Sequence, residues 1–358
     1  MIDPLPSIQG VTCPLPLPHN ERIVLGHGSG GKMSYDLISK VFLSSFDNSI
    51  LRIGDDAGAI IIPDQGIDGS RLAISTDSHV VTPLFFPGGD IGRLAICGTV
   101  NDVAMLGAKP LYLTAGFVLE EGLEVEVLRS IVASMCSAAQ EADIHIIAGD
   151  TKVVQNGKAD GLYINTTGIG IIPKRINISG ARAKPGDTVI ISGTIGDHGI
   201  AVLAARGELK FDTDITSDVA PLNGLVASMI EATESIHVLR DPTRGGLATS
   251  LNEIAIQSQV GIMIHENAIP IKPAVSAACE MLGFDPLYIA NEGKLIAIVD
   301  KDDADQLLVV MKSHPLGAGA VIIGSVVEKP CGHVMLKTTY GTTRMVDMMS
   351  GEMLPRIC

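Results

Sequence analysis

The chain has 358 residues, 46% apolar and 18% charged, with a formal net charge of −14. That length suits two domains of ordinary size, and the acidic balance excludes a simple electrostatic binder of nucleic acid or anionic membrane. With aromatics at 3% and no Trp, packing must rest on Val, Ile, Leu, Ala and Met.

Residues 1–20 hold five prolines and no periodicity, so they read as an extended arm. They lack the basic start and apolar core of a signal peptide, and no run of about 18 apolar residues follows to span a membrane. Six cysteines without a C-x-x-C pair indicate a reduced, cytoplasmic chain. Cys97, Cys136 and Cys279 sit in apolar helical stretches and are expected in the core. Cys331 and His333 form a C-x-H pair without neighbours.

"GHGSGGK" (26–32) approaches a phosphate loop, but Met33 stands where a hydroxyl would be needed for Mg²⁺. Its glycines still let backbone N–H groups approach an anion, and Lys32 adds a charge. A flexible surface loop is the plain alternative. Strands are expected at 72–76, 111–119, 144–150 and 162–172, and helices at 90–108 and 124–142. Residues 173–187 read as a linker. A second alternating block follows, with strands at 188–193, 261–265, 294–300 and 320–327. Its helices fit 197–207, 219–234, 244–258, 272–283 and 302–313. The division is an arm and glycine loop (1–35), a first domain (36–172), a second α/β domain (182–330) and a tail (331–358).

Aspartates stand beside apolar runs, where a solvated charge is least expected: Asp55, Asp56, Asp77, Asp150 and Asp241. Singly, each reads as turn or cap chemistry. Together they favour a hard cation such as Mg²⁺ held with a nucleotide's phosphates. Asn101 and Asp102 fall inside a helix expected to be mostly buried, where a carboxylate is costly unless paired or metal-bound. "DPTRGGL" (241–247) is a turn with Thr and paired glycines, Gly245 and Gly246, that opens the helix 244–258. A helix start preceded by Thr243, with Arg244 nearby, suits an anion, although an ordinary N-cap is the plain alternative. Lys152 follows a strand end and could serve as an acid–base or phosphate contact, and Glu292 lies between Asn291 and Gly293 just before a strand, although either alone reads as a surface charge. The chain ends in "LPRIC", with a thiol on its last residue, Cys358.

"DDAGAI", "STDS", "NDVA", "GDT" and "DPTRGGL", in this order, resemble the aminoimidazole ribonucleotide synthetase superfamily. Residues 75–104, "GDTKVV", "SGTIGDHG", "ANEGKL" and the terminal "PRIC" narrow the resemblance to the hydrogenase-maturation carbamoyl dehydratase family, from about residue 21 to the end. The resemblance implies an α/β (α+β) chain with a two-domain aminoimidazole ribonucleotide synthetase-like fold and a flexible C-terminal tail. It implies a homodimer built through the first domain, with ATP at the dimer interface. The nucleotide would be held by Gly28, Ser29, Gly30, Gly31, Lys32, Asn101, Asp150, Thr243, Arg244, Gly245 and Gly246. Mg²⁺ would be held by Asp56, Asp77, Asp102 and Asp241, with Asp55 less firmly assigned. Cys358, Lys152 and Glu292 would be the catalytic set. The implied reaction dehydrates a carbamoyl group on the Cys358 thiol to a thiocyanate, giving the cyanide ligand of NiFe hydrogenase iron. The implied partners are the carbamoyltransferase HypF as donor and a HypC–HypD iron scaffold as acceptor. Another ATP-dependent kinase or ligase of the superfamily is the alternative; it would not need Cys358.

Overall fold

The computed structural model describes residues 27, 31–43, 45, 48–61, 69–207, 214–349 and 357. The first sheet contains β1 (Gly58–Ile61), β2 (Arg71–His79), β5 (Lys109–Glu120), β6 (His145–Val154) and β7 (Leu162–Ile172). Their order is β1-β2-β7-β5-β6, with only β5 and β6 parallel. A short hairpin of β3 (Phe85–Phe86) and β4 (Gly89–Asp90) leads into a buried helix.

Helix α1 covers Lys32–Leu37, and the buried helix is α2, Ile91–Met105. Asp90 caps α2 by accepting from the Gly92 and Arg93 amides at 2.7 and 3.1 Å, satisfying two donors that every helix start leaves open. Helix α2 is apolar nearly all round because α3 (Val125–Glu141), the first sheet and the second domain enclose it. On β7, buried residues alternate strictly, the signature of a strand covered on one face.

The second sheet contains β8 (Thr188–Ile191), β9 (Ile236–Arg240), β10 (Gly261–His265), β11 (Ile296–Val299), β12 (Val321–Val327), β13 (His333–Lys337) and β14 (Thr343–Val346). Its order is β14-β13-β10-β12-β8-β11-β9, antiparallel except for β10 with β13. Helices α4 (Asp197–Ala205), α5 (Asn223–Ala232), α6 (Gly246–Ser258), α7 (Pro273–Leu282) and α8 (Ala304–Ser313) accompany it. Helix and sheet mix in both halves, as expected. No described helix is long and apolar enough to cross a membrane.

Three expectations change. Residues 333–346 are not tail but the paired strands β13 and β14, because Val334, Leu336 and Val346 enter the core. Cys136 lies on the exposed side of α3, while Cys97 and Cys279 are buried. Strand β9 was not anticipated. It is buried along its whole length although its sequence is IHVLR, because its polar side chains find partners: His237 meets Asp187 at 2.7 Å, and Arg240 meets carboxylates from both domains.

That last contact ties the halves together. Arg240 Nε lies 2.9 Å from Asp56, and its Nη1 donates to Glu253 at 3.0 Å. Its Nη2 donates to the Gly54 carbonyl at 3.3 Å. Nearby, Asp55 accepts from the Ser179 hydroxyl and the Gly180 amide at 3.0 and 2.7 Å, so the expected linker is pinned to the first domain. Arg240→Met would leave buried carboxylates unpaired and should lower unfolding free energy by about 3–5 kcal/mol in urea titration. The same change at Arg175, whose pair with Glu234 is exposed, should cost under about 1 kcal/mol.

Candidate active site at the domain seam

Strand and helix periodicity assemble the site. On β2, Ser75, Asp77 and His79 are two residues apart and share the face turned to α2. On α2, Gly98 and Asp102 are four apart and share one face. A Cβ at Gly98 would lie 3.0 Å from the His79 ring and 3.7 Å from the Asp77 carboxylate, so glycine keeps this approach open. Ser75 donates to Asp102 at 2.8 Å, joining strand to helix.

The second domain closes the cavity from the ends of two strands. Asp241, Thr243 and Arg244 follow β9, and Glu292 precedes β11. Helix α6 starts at Gly246, two residues later than expected, behind Gly245 in the left-handed region at φ +77°. Gly246 is itself at φ +60°, where an added Cβ would lie 2.6 Å from the Ile289 and Leu287 carbonyls. The cavity measures about 220 Å³, and Asp56, Asp77, Asp102, Asp241, Arg244 and Glu292 contribute its charged lining.

Burial, then mutual repulsion, sets the electrostatics. Burial raises Asp102 well above the ordinary carboxylate range, and Asp241, Asp77 and Asp56 push it further. Burial also raises Asp56, with Arg240 pulling against it. Asp241 is pushed up to about 6 by burial, again opposed by Arg240. Glu292 is raised by burial and by Asp241, Asp77 and Asp218. Its Oε1 is buried without a hydrogen-bond partner. His79, buried beside Asp77, is held neutral by desolvation. Arg244, with a nitrogen 3.6 Å from Asp77, is the half-exposed cation at the mouth.

The structure thus brings together Asp56, Asp77, Asp102, Asp241, Thr243, Arg244 and Glu292. Glu292 is not a surface charge; it is only 4% exposed. Asp55 is turned to the Ser179–Gly180 loop instead. Asn101 is a buried cross-brace: it donates to the Ala220 and Glu292 carbonyls and accepts from the Leu222 amide at 2.7 Å. Asp150 and Lys152 pair with each other at 2.6 Å on the exposed edge strand β6 and do not line the cavity. The Lys32 amide donates to the Met349 carbonyl at 2.9 Å. Gly28, Ser29, Gly30 and Cys358 lie outside the described residues. Ser75, Thr76, Gly98 and His79 were not singled out from sequence. Alternation about Asp77 points to Ser75 and His79, and the four-residue step back from Asp102 points to Gly98; neither signal points to Thr76.

Among the described residues, no three His, Cys, Asp or Glu side chains already close into a metal cage. The donors nevertheless suit Mg²⁺: hard carboxylate oxygens crowded together, one of them orphaned, for an ion that needs only one or two carboxylates beside phosphate and water. Asp241→Asn should stabilise the ligand-free chain above pH 6. Between the unfolded carboxylate pKa and about 6 the folded wild type holds the extra proton, so its stability falls as pH rises through that window. Asparagine never ionises, so the variant's advantage in thermal midpoint should vanish below about pH 4. A pH-independent difference would show that burial does not raise the Asp241 carboxyl in the folded chain.

Residues 54–172 match the family described as AIR synthase related protein, N-terminal domain, and residues 184–337 the corresponding C-terminal domain. The chain is 55% identical to "Carbamoyl dehydratase HypE" of Cupriavidus necator over 94% of this chain and 95% of that one. It is 46% identical to the Escherichia coli K12 protein of the same name, over 94% and 99%. Among solved structures, a HypE–HypF complex matches with TM-score 0.82 at 53% identity, over 87% of this chain and 99% of that one. HypE in complex with ATP matches with TM-score 0.78 at 50% identity, over 94% and 100%. A seam lined by carboxylates from two such domains, and relatives this similar along nearly the whole chain, place this protein in the HypE carbamoyl dehydratase family of hydrogenase maturation, within the AIR synthase superfamily.

Proposed function

We propose that the chain dehydrates a carbamoyl group carried on the Cys358 thiol, using ATP as phosphoryl donor. The observation that carries this reading is Glu292, a buried carboxyl that lines the aspartate-bordered cavity and has one oxygen without a hydrogen-bond partner. The similarity to an ATP-bound HypE supports the nucleotide, and the HypE–HypF complex supports HypF as carbamoyl donor.

The chemistry follows from a poor leaving group. The oxygen of Cys358–S–C(=O)–NH₂ cannot depart as oxide at neutral pH. Phosphorylating it, with release of ADP and one N–H proton, gives an imidate phosphate. Losing phosphate and the second N–H proton then gives Cys358–S–C≡N. Glu292 suits the proton acceptor's role because its raised pKa brings its basicity toward the working pH. Arg244 and the carboxylate-bordered cavity would orient the transferring group. Mg²⁺, if bound by Asp56, Asp77, Asp102 or Asp241, would supply charge neutralisation at the phosphates.

At about 220 Å³ the cavity suits the reacting groups rather than a whole nucleotide. The rest of ATP would lie outside it, as in the homodimer that the sequence resemblance implies. Strand β6 is exposed along nine of its ten residues, so dimerisation there would cover Asp150 and Lys152 and bring them to a second subunit. In that setting Lys152 would steady charge on the carbamoyl oxygen. The product would pass to a HypC–HypD iron scaffold, and the whole cycle is consistent with a cytoplasmic protein.

Intact mass tests the proposal. After incubation with HypF, its carbamoyl source and ATP, wild type should gain a carbamoyl adduct and then lose one water with Mg-ATP; Cys358→Ser should gain none. Glu292→Gln should bind ATP and accept the carbamoyl group but lose at least about 10²-fold in dehydration rate. Normal dehydration by Glu292→Gln would remove Glu292 from its role, and ATP turnover without an adduct on Cys358 would overturn the reaction itself.

A further inference from the structure

Ile357, the residue before the terminal cysteine, is 7% exposed and lies against the fold. It forms an antiparallel bridge with Val81, which follows β2, and joins the buried cluster containing Phe86, Val219 and Ala290. Its carbonyl meets Nε2 of His198, on α4. A carbonyl can only accept, so Nε2 carries the hydrogen. The other ring nitrogen, Nδ1, lies 2.8 Å from the Ser217 hydroxyl. The same hydroxyl oxygen accepts from the Val219 amide at 3.1 Å, so its own hydrogen is free to go to Nδ1. The relay therefore runs one way: Val219 N–H to Ser217, Ser217 O–H to His198, and His198 N–H to Ile357. Phe86 meets the imidazole edge-on at 5.4 Å and fixes its plane. Burial lowers the His198 pKa, against the pull of Asp218 and the Ile357 carbonyl, which favours the neutral tautomer the relay needs.

The loop that orients His198 also anchors Glu292. Asp218, next to Ser217, accepts from the Glu292 amide at 3.0 Å and pairs with Lys294 at 3.2 Å. A side chain at Gly293 would collide with the Asp218 carbonyl, so this approach is close along the backbone as well. One short loop thus holds the imidazole on the tail and the backbone of the carboxylate in the cavity.

We propose that His198 is a positioning residue: it latches the C-terminal tail by the Ile357 carbonyl, beside the loop that anchors the backbone of Glu292. The catalytic meaning of this latch rests on the dehydratase reading above; the latch itself does not. It gives a tail that must also visit a partner a defined docked state, in which the Ile357 carbonyl is held by His198, its backbone bridges Val81 and its side chain enters a buried cluster.

The test is site-resolved alkylation of Cys358 in the full-length protein, with iodoacetamide and peptide mass spectrometry. His198→Ala should raise the Cys358 alkylation rate about fivefold, the change in population expected from losing one buried hydrogen bond. Ser217→Ala should raise it less. His198→Gln should return it toward wild type, because its amide nitrogen reaches the place of Nε2. Cys97 and Cys279, both buried, report folding in the same spectra; if His198→Ala exposes them, Ser217→Ala and His198→Gln decide. Unchanged alkylation of Cys358 in folded variants would overturn the latch. The readout uses neither ATP nor a carbamoyl group, so a failed dehydratase reading would leave it intact. Where both hold, His198→Ala should load carbamoyl normally and slow only its dehydration, with His198→Gln restoring the rate.

Discussion

Carboxylates forced together out of water repel one another, and each loses the hydration that stabilises its charge. Asp56, Asp102, Asp241 and Glu292 live under that constraint, and all four are shifted toward their neutral forms. Arg240 is the strongest local counterweight. Burial works against its charge, yet Asp56 and Glu253 more than compensate, so it stays firmly cationic. One guanidinium cannot neutralise the whole group. What remains is stored repulsion, an arrangement that costs stability in the ligand-free chain.

The cluster can exist only because two domains meet there. The first supplies Asp56, Asp77 and Asp102; the second supplies Asp241, Thr243, Arg244 and Glu292. Helix α2 lies between them, and its polar residues divide the labour. Asp102 faces the cavity, while Asn101, one residue earlier, satisfies three backbone groups of the second domain. With Asp55 and Arg240, it makes the seam a hydrogen-bonded joint rather than a sliding contact. A site assembled from both sides of a seam needs such bracing, since catalytic geometry tolerates errors of well under an ångström.

The tail contact extends the same logic. Ser217 and Asp218 are adjacent, yet one acts on the imidazole that holds Ile357 and the other on the backbone of Glu292. The chain end at Ile357 and the cavity carboxyl of Glu292 gain a common reference when one loop touches both. The exposed strand β6 is the complementary case. Asp150 and Lys152 satisfy each other there in water, where the pair contributes little, and they acquire consequence only if a second subunit covers them.

Local pattern was enough to place most elements, because strand alternation and apolar helical runs act within a few residues. It also marked Asp56, Asp77, Asp102 and Asp241, since a carboxylate beside or inside an apolar run demands a reason, whereas Glu292 read alone as a surface charge and was marked only by the family resemblance. It could not separate Asp55 from Asp56, or Asn101 from Asp102. Adjacent residues point in different directions, and which one meets the cavity depends on how the seam closes. Strand β9 and the pair β13–β14 were obscured for a related reason: their charged and polar residues are satisfied by partners distant in sequence. Residue types and their spacing determined by themselves that acidic chemistry and a terminal thiol belong to this protein. Only the tertiary structure decided which carboxylates share a cavity, that Asp150 and Lys152 stand apart from it in the single chain, and that His198 reaches the end of the chain, because those facts rest on contacts between segments that no local pattern links.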